Sequence, residues 1–186
     1  MHRLVALTLL FFNAVLLGPL SAASGAMGEP SWRVFKSKPG RFGVEMPGKP
    51  QRTDTRTTSF IGTITTHIFL VRSGNEEYVE EYVVSYSDLP GFAVKFAGSG
   101  TIYNNAKGSL LMETLGKEEQ FENAPLNGMQ GKHLVYDMPD RETNVDMRGE
   151  AYFFLVGKRL YIIDVNAPIG EMPTDAPRFF SSFRVE

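Results

Sequence analysis

Two neighbouring segments near the end of the chain limit what it can fold into. Ala151-Tyr152-Phe153-Phe154-Leu155-Val156 and Leu160-Tyr161-Ile162-Ile163-Asp164-Val165 are joined through Gly157-Lys158. The runs are short and rich in aromatic and β-branched residues, so they read as strands, and a glycine at the first central position suits a two-residue type II′ hairpin. Both strands are apolar on both faces. A strand of that kind needs cover above and below, so the chain must supply a sheet with layers on each side, and helices are the expected layers.

The rest of the chain fits such a sheet. Phe42, Val44 and Met46 alternate with polar residues until Pro47-Gly48 stops the run. Thr53 to Phe60 and Thr63 to Val71 form a second strand pair around Gly62. Glu77 to Tyr86 places Tyr78, Tyr82, Val84 and Tyr86 on one face. A helix is expected over Ser99 to Leu115, where Ile102, Tyr103, Ala106, Leu110, Leu111 and Leu115 recur at three- and four-residue steps. Ser99 or Thr101 is expected to cap it, with Gly116 at its end. The period then returns to two. Lys117 to Leu126 and Lys132 to Asp137 flank Asn127-Gly128, a hairpin dipeptide, and Asn144 to Val156 leads into the closing pair of strands. A short C-terminal helix is expected with Thr174 or Asp175 as cap and Pro177 in its first turn. Phe179, Phe180 and Phe183 then form one apolar stripe that plugs the core. The order strands, helix, strands, helix gives an α+β fold on an antiparallel β-sheet covered by helices.

Residues 1–26 are not part of that domain. Met1-His2-Arg3 is a short basic start, Leu4 to Leu17 is an almost unbroken apolar run of 14 residues with Asn13 inside it, and Ser21-Ala22-Ala23 and Ser24-Gly25-Ala26 place small residues before a cleavage point. This is the tripartite order of a signal peptide, with cleavage after Ala26 or Ala23. The apolar run is shorter than the roughly 20 residues a membrane span needs, so no stable membrane span is expected after signal removal. The expected organisation is a signal peptide over 1–26, a loose leader over 27–39 in which Trp32, Val34 and Phe35 form a first strand or pack on the sheet edge, and a single domain over 40–186. The expected location is periplasm or extracellular medium.

Removal of residues 1–26 takes away Arg3 and leaves 18 Lys+Arg against 21 Asp+Glu, a formal charge of -3. That mild balance argues against nucleic acid. The chain has no cysteine, which excludes disulfides, thiol nucleophiles, iron–sulfur ligation and Cys-type zinc sites, so stability must come from core packing.

Candidate chemistry is sparse. His67 and His133 each sit in a strand between apolar neighbours and read as structural histidines. No H-E-x-x-H, G-x-S-x-G, Walker A or G-x-G-x-x-G motif is present. Asp140, Glu142, Asn144 and Asp146 are spaced by two, like the first oxygen ligands of an EF-hand. The sixth position is Val145 rather than Gly and the twelfth is Ala151 rather than Glu. The row therefore reads first as a solvated strand face and second as a calcium candidate, with Asp137 and His133 able to extend it only by tertiary contact. Glu76-Glu77 and Glu80-Glu81 read as charges guarding a strand edge, with a face for a cationic partner as the alternative. No catalytic residue and no cofactor are assigned.

The segments Gly40-Arg41-Phe42-Gly43-Val44-Glu45-Met46-Pro47-Gly48-Lys49-Pro50, Tyr82 to Pro90, Tyr152 to Tyr161 and Phe180-Ser181-Ser182-Phe183 resemble turn and core motifs of small exported bacterial domains with a PsbP/Mog1-like fold. The likeness covers about residues 40–184. It implies an α/β/α sandwich. PsbP is an extrinsic subunit of photosystem II and Mog1 binds a small GTPase; neither is an enzyme. The expected function is therefore an exported, non-catalytic interaction or accessory domain, whose partner is another exported or envelope protein. The alternatives are a binder of a small apolar ligand held between sheet and helix, and a hydrolase using His133 or His67 with a carboxylate.

Overall fold

The computed structural model describes residues 31–59, 62–74, 79–139 and 145–186. The expected signal peptide and the first part of the leader lie outside these residues. The strands are β1 (Arg33–Ser37), β2 (Phe42–Met46), β3 (Gln51–Ser59), β4 (Gly62–Gly74), β5 (Val79–Asp88), β6 (Lys117–Asn123), β7 (Lys132–Pro139), β8 (Asp146–Val156), β9 (Arg159–Pro168) and β10 (Arg184–Val185). The helices are α1 (Gly91–Thr114) and α2 (Ala176–Ser182).

Seven strands form one antiparallel sheet in the order β3-β4-β5-β9-β8-β7-β6. It consists of two meanders, β3 to β5 and β6 to β9, joined edge to edge where β5 pairs with β9 from Glu81 opposite Asn166 to Asp88 opposite Arg159. The doubly apolar hairpin of β8 and β9 thus occupies the middle of the sheet, where both faces can be buried. Gly157 takes φ 62 at its turn. The Asn127-Gly128 turn also forms, with φ 53 and 80 and a Leu126–Met129 bridge beneath it, as a type I′ turn requires.

Each face has its own core. On one, α1 lays Ile102, Tyr103 and Ala106 over Leu134, Tyr136, Ala151, Phe153 and Leu160. On the other, Phe69, Tyr82, Val84, Tyr86, Phe154, Tyr161, Ile163 and Val165 meet Phe42, Val44, Met46 and the α2 side chains. The second cover is not a helix layer alone. It is a small sheet of order β1-β2-β10 together with α2. The expected leader contributes to it: β1 pairs with β2 from Arg33 opposite Met46 to Ser37 opposite Phe42. The far edge is β10, two residues long.

Helix α1 starts eight residues before the expected Ser99. Its N-cap is Pro90, with no side-chain cap bond, and it is interrupted at Gly98 (φ 72, ψ 157). That region of backbone space is open essentially to glycine alone. The expected C-terminal glycine has a different task. Leu115 takes the left-handed conformation (φ 55). Gly116 donates its N–H to the Leu111 carbonyl at 2.7 Å, and a Cβ there would lie 2.9 Å from the Tyr136 ring. Close approach explains this glycine, while a leucine takes the left-handed φ. At α2, Asp175 is the N-cap residue but its side chain makes no cap bond. The expected plug forms: Phe179 and Phe183 are fully buried and Phe180 nearly so.

Candidate functional site

Three polar clusters and one cleft carry the chemistry of the described residues. The first cluster is inside the protein. Asp164 is the one carboxylate in the central strand β9, and strand alternation turns it to the α1 face. The Tyr136 hydroxyl donates to Asp164 Oδ2 at 2.8 Å and lies 2.9 Å from Asn166 Oδ1. Asn166 Nδ2 is 3.3 Å from Asp164 Oδ2. The Tyr136 ring passes over Gly149, where a Cβ would stand 2.2 Å from Cζ. Asp164 Oδ1 is buried with no hydrogen-bond partner. Burial pushes the Asp164 carboxyl up to about 7 and holds the Tyr136 phenol well above its usual range. The cluster is a closed packing device with no opening of its own to a substrate.

The second cluster contains His67. The β3–β4 hairpin sets Asp54 opposite His67, and His67 Nδ1 lies 2.9 Å from Asp54 Oδ1. Arg52 makes two 2.9 Å bonds to the same carboxylate. The bonds from Arg52, then that from His67, hold Asp54 down to about 2. The imidazole packs on Tyr86 with centroids 4.6 Å apart and planes tilted by 38°. Arg159 also lies over the Tyr86 ring, at 4.7 Å, and binds Asp88 through Nε and Nη2 at 2.8 and 2.7 Å. Each charge here has an opposite partner.

The third cluster contains His133. Register places Glu122, His133 and Tyr152 side by side across β6, β7 and β8. The His133 and Tyr152 rings stack at 4.4 Å. His133 Nε2 lies 3.6 Å from Glu150 Oε2, longer than a hydrogen bond, and is buried with no hydrogen-bond partner. Glu150 and Tyr152 also line a cleft of about 390 Å³ beside α2, together with Leu126, Met172, Pro173 and Phe180.

The other expected residues fall apart. Asp140, Glu142 and Asn144 lie outside the described residues. Asp146 opens β8, exposed, and its carbonyl accepts the Ile169 N–H at 3.0 Å. Among the described residues no group of three or more His, Asp or Glu is placed to hold a metal. Glu76 and Glu77 also lie outside the described residues, Glu80 accepts the Tyr82 hydroxyl at 2.9 Å, and Glu81 pairs with Arg72 at 2.8 Å. No helix of the described residues is long and apolar enough to cross a membrane.

Sequence reasoning missed Asp54, Asp164, Tyr136 and Glu150. A signal existed for two of them. The hairpin register around Gly62 sets Asp54 across from His67, and Asp164 is an acid in a strand with no polar face. Also missed are Phe92 and Phe96, 50% and 79% exposed on the first turns of α1.

A seven-stranded antiparallel sheet, with one helix on one face and a small sheet plus a short helix on the other, defines a PsbP-like α+β fold. Among solved structures the chain is similar to the cyanobacterial PsbP protein (CyanoP) of Synechocystis sp. PCC 6803. The identity is 16%, the match covers 91% of this chain and 99% of that one, and the TM-score is 0.56. A Pseudomonas aeruginosa protein of unknown function, PA94, described as a putative regulator, matches at 14% identity over 78% of this chain and 89% of its own, with a TM-score of 0.44. No protein-family model and no curated protein sequence matches the chain. At these identities the likeness concerns the fold.

Proposed function

We propose that the protein is an exported, non-catalytic accessory domain that docks on a protein partner through the N-terminal turns of α1. The observation that carries this reading is the Phe92–Phe96 pair. The two rings are four residues apart, so they share one helix face, and that face points away from Ala93, which is buried. Full burial of a phenylalanine is worth roughly 1.5–3 kcal/mol; Phe96 forgoes most of that and Phe92, half exposed, about half, a cost a partner surface would recover. Met112 and Leu115, also exposed, continue the apolar character at the far end of α1. Export is supported by the signal-like order of residues 1–26.

The hydrolase alternative needs His67 or His133 working with a carboxylate in an open cleft. His133 Nε2 lies 3.6 Å from Glu150, beyond hydrogen-bond reach, and its ring is stacked on Tyr152. His67 is held between Asp54 and Arg52. The apolar-ligand alternative needs room between α1 and the sheet, and that space is filled by Leu134, Tyr136 and Phe153, all at 0% exposure.

The test is site-specific photo-crosslinking in the native cell envelope. A photoreactive phenylalanine analogue at position 96 is expected to give one discrete adduct, and the same analogue at Lys38 on the small-sheet side none. The double variant Phe92→Ser, Phe96→Ser is expected to keep its melting temperature and lose the partner. Equal labelling from both positions would sink the proposal.

A further inference from the structure

The cleft beside α2 carries a chemistry of its own, on residues separate from the α1 surface. At about 390 Å³ it has the size of a small-ligand site. Two of its walls are rings, Tyr152 from β8 and Phe180 from α2. Their centroids are 5.0 Å apart and their planes meet at 61°, so the rings form an open corner rather than a stack. Leu126, Met172 and Pro173 supply the remaining apolar wall.

Glu150 is two residues from Tyr152 on the same strand and so projects from the same face. Its side chain is 32% exposed and it lines the cleft. Glu122 reaches that face through the row Glu122, His133, Tyr152. Their joint field acts at the ring: burial first, then Glu150 and Glu122, push the Tyr152 phenol above its usual range.

The basic groups near Glu150 answer it only at a distance: His133 across the strand pair, and Arg148 two residues along β8, whose guanidinium feels Glu150. Among the described residues that line it, none is Lys or Arg. The arginines on the neighbouring strand and helix are engaged: Arg148 binds Asp137 at 2.7 and 3.0 Å, and Arg178 binds Glu45 at 2.7 Å. The nearest imidazole atom, His133 Nε2, stops 3.6 Å short of Glu150.

Two aromatic faces set at an angle, an apolar floor and a carboxylate with no hydrogen-bonded cation select a cation with an apolar skin. A small inorganic cation would gain nothing from the rings. A neutral apolar molecule would take Glu150 out of water with no compensation. A zwitterion carrying a phosphate would set that phosphate against Glu150 and Glu122. We propose that this cleft binds a free quaternary ammonium compound, with its methyl groups in the Tyr152–Phe180 corner and its charge on Glu150.

The test is an NMR titration of the full chain with three probes: choline, its uncharged isostere 3,3-dimethyl-1-butanol, and phosphocholine. Choline is expected to shift Tyr152 and Phe180 resonances saturably at millimolar concentration or below, with the isostere and phosphocholine each about tenfold weaker or more. Glu150→Gln is expected to lower choline affinity by about tenfold with an unchanged melting temperature, and Tyr152→Leu to do the same by removing one ring. Choline and its isostere binding equally would overturn the proposal, as would phosphocholine binding tightest, unchanged affinity in Glu150→Gln, or no saturable shift with choline. Because Phe92 and Phe96 take no part, loss of choline binding leaves the crosslinking result untouched, and the reverse holds.

Discussion

Asp164 sets a pH dependence that a surface carboxylate would not. Its folded value, about 7, lies above the ordinary 3.8. Between those two values the folded protein holds a proton that the unfolded chain has released. Stability therefore falls as pH rises from about 4 to about 7, by an amount on the order of a few kcal/mol. Asp54, Asp88 and Asp137, each lowered by an arginine partner, act in the opposite sense: their contribution is present above about 4 and is lost as pH falls below it. The stability maximum is expected near pH 4–5. Glu113, also pushed up to about 7 by burial, acts in the same sense as Asp164. Urea midpoints of Asp164→Asn, which retains the shape and cannot ionise, are expected to fall less steeply than the parent's between pH 4 and 7, with Glu113 carrying the remaining slope, and to exceed the parent at pH 7 and above. A variant with the parent's slope would show that Asp164 does not hold the proton.

At the scale of elements, the β6–β7 turn clamps the C-terminal helix. Asn127 sits in the left-handed region its turn requires, and its Nδ2 donates to the carbonyls of Phe180 at 3.0 Å and Phe183 at 2.9 Å. Both carbonyls lie at the end of α2, where the Phe180 oxygen also accepts the Phe183 N–H at 3.3 Å and the Phe183 oxygen a bond from Arg184 at 2.7 Å. Asn127→Gly keeps the turn and removes both bonds. It is expected to cost about 1–2 kcal/mol, read as a lower urea midpoint at an unchanged m-value, and Asn127→Asp is expected to cost more by turning a carboxylate on the same oxygens. A midpoint equal to the parent's would mean that water replaces the clamp. This scale also shows which elements were legible beforehand. The β8–β9 hairpin was, because a doubly apolar strand admits few positions in a sheet. The third layer was legible in part: β2, α2 and a strand around Trp32, Val34 and Phe35 were expected, but β10 is two residues long and shows no period, and nothing local to β1 and β2 says that they leave the main sheet. The first turns of α1 were missed because Phe92 and Phe96 put apolar residues where a helix of this kind is expected to be polar. The Glu150–Tyr152–His133 grouping needs the register of two strand pairs plus the position of α2, and no single segment carries it.

At the scale of the whole molecule, the sheet is two meanders that meet along one ladder, β5 with β9. All other neighbours in the large sheet are hairpin partners close in sequence. Among the strand pairings of the described residues, only β5–β9 and β2–β10 join the first half of the chain to the second, alongside the packing of α2 on β2, and α1 is the connection between the halves. That connection is broken at Gly98, where a Cβ would meet nothing within 4 Å. A chain divided there, as residues 1–97 and 98–186, is expected to reassemble on mixing, with a melting temperature that rises with concentration and a near-ultraviolet circular dichroism spectrum like the intact protein's. Fragments that stay apart at every concentration would show that continuity of α1 is itself required. On this view the peptide bonds around Gly98 act as a tether: they hold one half of the sheet at a high effective concentration beside the other, and the information that selects the partner edge resides in the two strands.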